Sequence, residues 1–516
     1  MKNPELLTKR FEKNIAGTLN CFDRLVLFGT YQPICYPQAM SWQLHEAGIQ
    51  LIDYENKFAN KLRLEMTARI KAIAAQENIP IKQVYASVRK EALVSEILST
   101  RGDAPGIVCI LSAMESCRCF KVRKNHKSGY LELQWKPGKC LHYYVYLMDP
   151  DYGLCYLRIP TWAPFRLQFY FNGHDWLQRR MAAADITYRK ADNCFVHVSD
   201  FQRAQSIVDS FDVNCLHRRL DQLAARFVAV HGRWGQGLHW SIYQAEWATD
   251  VVFKSSRILP VLYAELVRTA AIEIKCADIY GFLGRRLSDK SASQVSNRLQ
   301  TLIEGTRIKH SFGKNSIKMY DKQARVLRIE TTSNDVSFFK HHREVKHRDG
   351  TREMKHAPVR KTIYSLGAVA EQMQACNKRY MSFISQWRDH SRERTDLRKI
   401  TGSVKDDKQR SYRGVNFFQS EDLSFMLAIL RGEYQIAGFT NRALQPHLAG
   451  WNSQKIGRVL KRFRVLRLTK RVGRTYKYYL SSLGKKVLVA ALQLKERVIL
   501  PTMLSYKSCA NMMGFL

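Results

Sequence analysis

The feature that most constrains the fold is a series of short strand-like runs beginning at residue 106. The runs are rich in Val, Ile, Tyr and Cys, and Gly, Pro or Asp separates them: GIVCILSAMESCRCFKVRK, GYLELQWKP, KCLHYYVYLMDP and LCYLRI. β-branched and aromatic residues favour strands, whereas Gly, Pro and Asp favour the turns between them. Together with helical segments elsewhere, the runs predict a multidomain α+β protein built on antiparallel sheets.

Five segments are expected along the 516 residues. Residues 1–100 are expected to be mainly helical, because KLRLEMTARIKAIAAQ places apolar and basic residues at helical spacing before Pro80. The other segments are an α+β domain over 101–235, an α+β core over 236–335, a basic ribbon with helices and a linker over 336–415, and a winged helix-turn-helix over 416–516.

The charge balance indicates a polyanionic partner. The chain has 83 Lys and Arg residues against 45 Asp and Glu residues, a formal net charge of +38. Such an excess of positive charge repels itself and attracts nucleic acid. We therefore expect DNA as the partner, with RNA as the alternative. No run of about 18 apolar residues and no apolar signal region occur, so we expect no membrane partner and a cytoplasmic, nucleoid-associated protein.

The cysteines do not indicate a disulfide framework or a zinc site. The 12 residues are scattered, and the Cys117-x-Cys119 pair has the wrong spacing for a zinc knuckle. We therefore expect reduced thiols in strand-rich cores and no zinc.

The aromatic residues of segment 101–235 have two interpretations. Aromatic rings among basic residues can stack unpaired bases, which would make this domain a nucleic-acid platform. Aromatic residues in strands more often form the core, and we favour that interpretation. The residues concerned are Tyr143, Tyr144, Tyr146, Trp162, Phe165, Phe169, Tyr170 and Phe171.

The last segment has the element order of a winged helix-turn-helix. Capping residues at 420–422 and 452–453 begin two helices, a short helix lies between them, and a basic hairpin turning at Gly473 follows. Residues 401–516 hold 21 Lys and Arg residues against 6 acidic ones. The order resembles the winged-helix domains of MarR-type regulators, which implies that the third helix enters the major groove of duplex DNA.

That geometry divides the basic residues into two groups. Those expected at base edges are Gln454, Lys455 and Arg458, and those expected at phosphates are Lys461, Arg462, Arg471, Arg474 and Lys477. The tail sequence KKVLVAALQLKERVILP is apolar enough either to form a homodimer or to pack on its own domain.

The central segment places carboxylates on shared strand faces. Because alternate strand residues point to the same side, Glu246 and Asp250 lie together in HWSIYQAEWATDVVF, as do Arg328 and Glu330 in VLRIETT. If these strands pair, the three carboxylates converge. Three oxygen ligands suit Mg²⁺ or Mn²⁺, which can stabilise charge on a phosphodiester while a hydroxyl attacks. The alternative is a polar network in which the carboxylates pair with neighbouring cations and perform no chemistry.

The segments AEWATD, GTRIKHSFG, IKMYDK and LRIETT resemble the catalytic core of plasmid and filamentous-phage rolling-circle replication initiators, over roughly 90 residues. The resemblance implies that Glu246, Asp250 and Glu330 hold a divalent metal. It also implies that Lys322 and Arg328 support the site, and that a tyrosine attacks the DNA backbone to leave a 5′-phosphotyrosyl link. A group of uncharacterised bacterial proteins resembles this chain in joining the same core to a winged helix.

The resemblance does not identify the nucleophile. Tyr320 is a candidate because it is close to the other site residues in the sequence, and His310 is a candidate metal ligand or general base. Glu246 stands where that family usually has aspartate. The His-hydrophobic-His motif of another nicking family does not occur in the sequence.

Three functions are compatible with these patterns. The first is a Mg²⁺- or Mn²⁺-dependent DNA endonuclease that nicks and rejoins DNA for a bacterial mobile element. The second is a non-enzymatic transcriptional regulator that binds DNA, and the third is a protein that binds structured RNA.

Overall fold

The chain folds into two compact units, residues 1–387 and 388–516. The computed structural model describes residues 6–235, 237–285, 295–302, 305–347, 349–386 and 391–501. Helices and strands are both abundant, so the protein has the expected α+β architecture. The boundary between the units lies inside the expected segment 336–415.

Strands of the first unit are numbered along the chain. They are β1 (Ile15–Thr30), β2 (Ile81–Gln83), β3 (Gly106–Lys124), β4 (Leu131–Asp149), β5 (Gly153–Pro160), β6 (Leu167–Phe171), β7 (Tyr188–Ala191), β8 (Cys194–Val198), β9 (His239–Phe253), β10 (Val295–Leu302), β11 (Gly305–Phe312), β12 (Asn315–Lys322), β13 (Val326–Ser333), β14 (Lys340–Lys346) and β15 (Arg352–Pro358). Eleven of them form one sheet in the order β10-β11-β12-β13-β9-β1-β6-β5-β4-β3-β2.

Helices cover this sheet. They are α1 (Leu7–Arg10), α2 (Pro37–Glu46), α3 (Asn60–Gln76), α4 (Lys90–Arg101), α5 (Gly173–Ala183), α6 (Phe201–Asp209), α7 (Val213–Phe227), α8 (Leu259–Ile272), α9 (Cys276–Phe282) and α10 (Leu366–Ile384). One large hydrophobic core extends under both halves of the sheet.

Residues 15–30 are a strand and not part of the helical region expected for residues 1–100. β1 lies near the centre of the sheet and pairs with both β6 and β9. Half of its 16 residues are buried, and all but one of the others are half-buried. Its sequence shows no regular alternation of apolar and polar residues, so periodicity does not identify it as a strand. The rest of the segment contains α2, α3 and α4, as expected.

The same topology occurs twice in the sheet. β1 is followed by helices and the meander β3–β6, whose last strand returns to pair with β1. β9 is likewise followed by helices and the meander β10–β13, whose last strand returns to pair with β9. Because β1 and β9 are antiparallel neighbours, an approximate two-fold axis passes between them.

Two helices, α10 and α5, pack on the strands nearest this axis. On one face, α10 inserts the buried Asn377, whose Nδ2 donates to the carbonyl oxygens of Trp247 and Ile329 at 3.0 and 3.1 Å. The helix α5 approaches β1 so closely that a Cβ on Gly173 would lie 2.0 Å from the Phe22 carbonyl oxygen. This approach requires glycine, and it brings the next residue, His174, against the sheet.

A separate basic ribbon is formed by β14 and β15, as the sequence predicts. Its turn contains Asp349 and Gly350, and Gly350 has a φ of +90°. Most of its side chains are exposed or half-buried.

The second unit contains helices and short strands. They are α11 (Ser391–Thr401), β16 (Val404–Lys405), β17 (Ser411–Tyr412), α12 (Ser420–Ile429), α13 (Gly432–Ala437), α14 (Asn441–Leu444), α15 (Ser453–Val465), β18 (Thr469–Arg471), β19 (Tyr478–Leu480) and α16 (Ser482–Leu494). Apolar residues of α12, α15 and α16 form its core, including Phe425, Leu460 and Leu488. β18 and β19 form a hairpin, as expected, with Gly473 in its turn region.

Two further expectations concern membrane-spanning helices and the aromatic residues of segment 101–235. Within the described ranges, no helix has both the length and the apolar character needed to cross a membrane. Of the eight aromatic residues highlighted in segment 101–235, six are buried, while Trp162 and Tyr170 are half-buried. The interpretation as core residues therefore describes most of them.

Candidate functional site

A fully buried arginine organises the strands at the two-fold axis. Arg328 on β13 donates to both carboxylate oxygens of Asp250 on β9, with two N···O distances of 2.6 Å. It also donates to Asp23 at 3.1 Å and to the Asn193 carbonyl oxygen at 2.7 Å. The ring of His174 lies between the two aspartates, 3.1 Å from Asp23 and 3.5 Å from Asp250. These contacts connect β1, β9, β13, α5 and the β7–β8 hairpin.

A bulge in β1 turns Asp23 toward this network. Phe22 is opposite Trp247 and Arg24 is opposite Glu246, so Asp23 is an extra residue in the ladder. A bulge of this kind can re-aim a side chain. Here it lets Asp23 reach the face that carries the charged residues of β9 and β13.

Three carboxylates from three adjacent strands meet on that face. Asp23, Glu246 and Glu330 each offer an oxygen, and the three oxygens lie within 4.8 Å of one another. Asp23 and Glu330 are buried, and Glu246 is half-buried. We call these residues the acidic cluster. Its oxygens and spacing fit a hard divalent cation such as Mg²⁺ or Mn²⁺.

A lysine and a tyrosine from β12 contact the acidic cluster. Lys318 Nζ lies 2.5 Å from Glu330 Oε1 and 3.6 Å from Glu246 Oε1. The Tyr320 hydroxyl donates to Glu330 Oε2. Register explains these contacts, since Lys318 is directly opposite Glu330 and Tyr320 is directly opposite Arg328.

The electrostatics differ among the carboxylates. Burial raises the pKa of Glu246 to about 7, and the neighbouring Glu330 adds to that increase. Burial also acts to raise the pKa of Asp23, but Arg328 and His174 outweigh it and hold that pKa below its usual range. The pKa of Tyr320 is raised well above its usual range by burial and by Glu330, so the phenol is protonated at neutral pH.

The structure brings together only some of the candidate site residues. Glu246, Glu330 and Tyr320 lie in or against the acidic cluster, whereas both oxygens of Asp250 are bonded to Arg328. Lys322 is directed to the β7–β8 turn, where its Nζ lies 2.8 Å from Asp192 Oδ2.

His310 does not join the acidic cluster. Its Nε2 lies 3.1 Å from the Tyr380 hydroxyl of α10, on the opposite face of the sheet. Burial lowers its pKa to about 4, so the ring is neutral at ordinary pH.

Sequence reasoning overlooked Asp23 and His174. An aspartate inside the apolar run CFDRLVLF was an available signal, because a buried carboxylate needs a partner. It was overlooked because the region was expected to be helical. His174 gave no such signal, since only the packing of α5 on β1 brings it to the aspartates.

In the second unit, the candidate nucleic-acid residues divide by exposure. Gln454, Arg458, Arg474 and Lys477 are exposed, and Lys461 and Arg471 are half-buried. The other two belong to ion pairs with α12, since Lys455 lies 2.6 Å from Glu421 and the buried Arg462 contacts Asp422.

No protein-family profile matches the chain, and no curated protein matches it. Among solved structures, a rolling circle replication initiator protein from Geobacillus stearothermophilus is similar over 61% of this chain and 74% of that chain. The sequence identity is 10% and the TM-score is 0.18, so no residue role is transferred from that protein.

Proposed function

We propose that this chain is a DNA-binding protein that nicks and rejoins DNA with the help of Mg²⁺ or Mn²⁺. The observation that carries the proposal is the acidic cluster, in which three carboxylates from separate strands lie beside the Tyr320 hydroxyl. Like charges at this separation repel one another, so a buried group of this kind calls for a cation. Lys318 supplies one positive charge, and a divalent ion would supply more.

Each residue of the site would have a distinct role. Asp23, Glu246 and Glu330 would hold the metal ion, which would stabilise negative charge on the phosphodiester. Tyr320 would attack phosphorus and form the phosphotyrosyl bond, its proton would pass to Glu330 Oε2, and the 3′-oxygen would leave as a hydroxyl after gaining a proton from water. The reverse reaction would rejoin the strand. Arg328 and Asp250 would position these strands without contacting substrate.

The second unit would bring this site to its DNA. The order α12, α13–α14, α15 and the β18–β19 hairpin is compatible with a winged helix-turn-helix. The exposed Gln454 and Arg458 on α15 would contact base edges, and the exposed Arg474 and Lys477 of the hairpin would contact phosphates. Lys455 and Arg462 are bound to acidic residues of α12, which makes them weaker candidates for DNA contacts.

A second candidate function is DNA binding without cleavage, as in a transcriptional regulator. It is favoured by the ion pairs in the first unit, because Lys318 and Arg328 already neutralise part of the carboxylate charge. In that case the acidic cluster would be a structural network.

One experiment separates the two functions. The full chain is incubated with supercoiled and single-stranded DNA, including the DNA around its own coding locus, in Mn²⁺, Mg²⁺ or a chelator. Nicking and a covalent protein–DNA adduct are expected only with metal, and both should be lost in Glu330→Gln but not in Glu344→Gln, which changes an exposed glutamate of the ribbon. Tyr320→Phe should lose the adduct. Absence of nicking and adduct on all these DNAs would favour the regulator.

A further inference from the structure

Beside the acidic cluster, the same face of the sheet carries aromatic rings paired with guanidinium groups. The Arg24 guanidinium lies 5.0 Å from the centroid of the Tyr170 ring, and the Arg166 guanidinium lies 4.0 Å from that of Phe28. The Phe28 and Tyr243 rings are 4.2 Å apart and inclined by 32°. We call Arg24, Phe28, Arg166, Tyr170 and Tyr243 the aromatic stripe.

The register places the aromatic stripe close to the acidic cluster. On β9, Tyr243 is three residues before Glu246. It is an extra residue in the ladder, because Gln244 is opposite Val26 and Ile242 is opposite Leu27. Gln244, the residue before Ala245 and directly after Tyr243, donates its Nε2 hydrogen to Glu246 Oε1 at 3.2 Å. At about 3.3 Å per strand residue, Tyr243 lies about 10 Å from Glu246, a distance that one or two nucleotides span.

Two residues of the aromatic stripe are exposed, whereas Arg24, Phe28 and Tyr170 are half-buried. Tyr243 is 47% exposed, and Arg166 is exposed. An exposed ring next to a guanidinium that covers a second ring is unusual for a sheet surface, since exposed strand positions are ordinarily polar. Rings of this kind can stack bases, and the adjoining arginines can bind the phosphates between those bases.

Cations also lie on the opposite side of the acidic cluster. Lys309 and Arg307 of β11 are opposite Lys318 and Tyr320 in the ladder, and both are half-buried. A chain of phosphates crossing the sheet would therefore meet positive charge before and after the three carboxylates.

The geometry points to single-stranded nucleic acid as the ligand of the aromatic stripe, with an unpaired base stacked on the exposed ring of Tyr243. A duplex does not fit this chemistry, because the faces of its bases are covered by their neighbours. The inference rests on the proposed function in one respect, namely that the bound strand continues into the acidic cluster.

Binding is measured with the full chain in a chelator, so that no cleavage can contribute. Fluorescent oligo(dT) and oligo(rU) are titrated in the presence of excess unlabelled duplex, which occupies sites that bind double-stranded DNA. Tyr243→Ala should weaken binding at least about fivefold, because one stacked base contributes about 1–3 kcal/mol. Tyr243→Phe should retain binding, and Tyr130→Ala, which removes a 78% exposed tyrosine, should have no effect.

A second readout excludes a trivial loss through misfolding. An oligonucleotide containing 4-thiothymidine should crosslink on irradiation to the peptide that contains Tyr243, and the crosslink should disappear in Arg166→Ala while the melting temperature is unchanged. Unchanged affinity in Tyr243→Ala, or an equal loss in Tyr130→Ala, would overturn the inference. If the chain never nicks DNA yet these binding results hold, the proposed cleavage is wrong and single-strand binding stands. Tighter binding of one oligonucleotide identifies the strand as DNA or RNA.

Discussion

Replacement of Asp250 by Asn distinguishes a carboxylate with a structural role from the carboxylates for which we propose metal binding. In the wild-type chain, Asp250 and Arg328 are both buried and share two N···O contacts of 2.6 Å. The variant leaves the arginine with Asp23 as its remaining ion-pair partner. Breaking a buried ion pair by removing one charge costs about 3–5 kcal/mol, so we expect a loss of that size in the free energy of unfolding.

The loss can be converted into a melting temperature. The unfolding entropy is about 2.1 cal/mol/K per residue, which gives about 0.8 kcal/mol/K for a unit of 387 residues. A loss of about 3–5 kcal/mol should therefore lower the melting temperature of the first unit by about 4–6 °C. Differential scanning calorimetry of the full chain in a chelator measures this change without any contribution from metal.

Glu246→Gln is the matched control, because Glu246 lies on the same face of the same strand. Its carboxylate is near Glu330 and its pKa is raised to about 7, so removing its charge relieves repulsion and desolvation. We expect a melting temperature unchanged within about 1 °C or increased, together with weaker Mn²⁺ binding in calorimetric titration. A melting temperature of Asp250→Asn within about 1 °C of the wild type would refute the structural role that we assign to Asp250.

Three other predictions follow from single contacts. The pKa of Glu115 is lowered to about 2, because contacts with Lys90, Tyr144 and Arg158 outweigh its desolvation. The carboxylate therefore contributes fully to stability above about pH 4.5, and the contribution is lost as the pH falls toward 2. The melting temperature of Glu115→Gln should be lower than that of the wild type at pH 7 and should fall less steeply below pH 4.5. In the second unit, Asp422→Asn should cost about 3 kcal/mol, seen as a lower melting temperature of that unit, because it leaves Arg462 buried without its carboxylate. Arg474→Ala should reduce the salt dependence of duplex binding by about one unit of slope with little change in sequence preference, measured by anisotropy at several salt concentrations.

The sequence predicted the second half of the sheet better than the first. Alternation in β9 and β13 showed which side chains share a face. The pairing of β9 with β13 was only a condition of the sequence argument, because helices and other strands separate them in the chain, and the structure supplies it. β1 lies in a segment that was expected to be mainly helical from the spacing of residues 61–76, and its own sequence has no regular alternation that would indicate a strand. That single difference also explains why Asp23 was missed.

The assignment of Asp250 as a metal ligand shows a different limit. Alternation places it correctly beside Glu246, but periodicity does not show which carboxylate an arginine will bind. Arg328 lies directly opposite Asp250, whereas Glu330 lies directly opposite Lys318. Which carboxylates lie together then depends on the lengths of the side chains and on the packing of α5 against the sheet. Neither can be read from periodicity.

The duplicated topology has a consequence for how the acidic cluster comes into existence. Asp23 belongs to the first copy of the motif, and Glu246 and Glu330 belong to the second. Either copy alone would carry an incomplete acidic cluster and a strand, β1 or β9, with one unpaired edge. The three carboxylates therefore come together only when β1 and β9 pair across more than 200 residues of sequence. A nascent or partly unfolded chain would therefore lack the acidic cluster, so the metal binding and cleavage that we propose would depend on completion of the whole sheet.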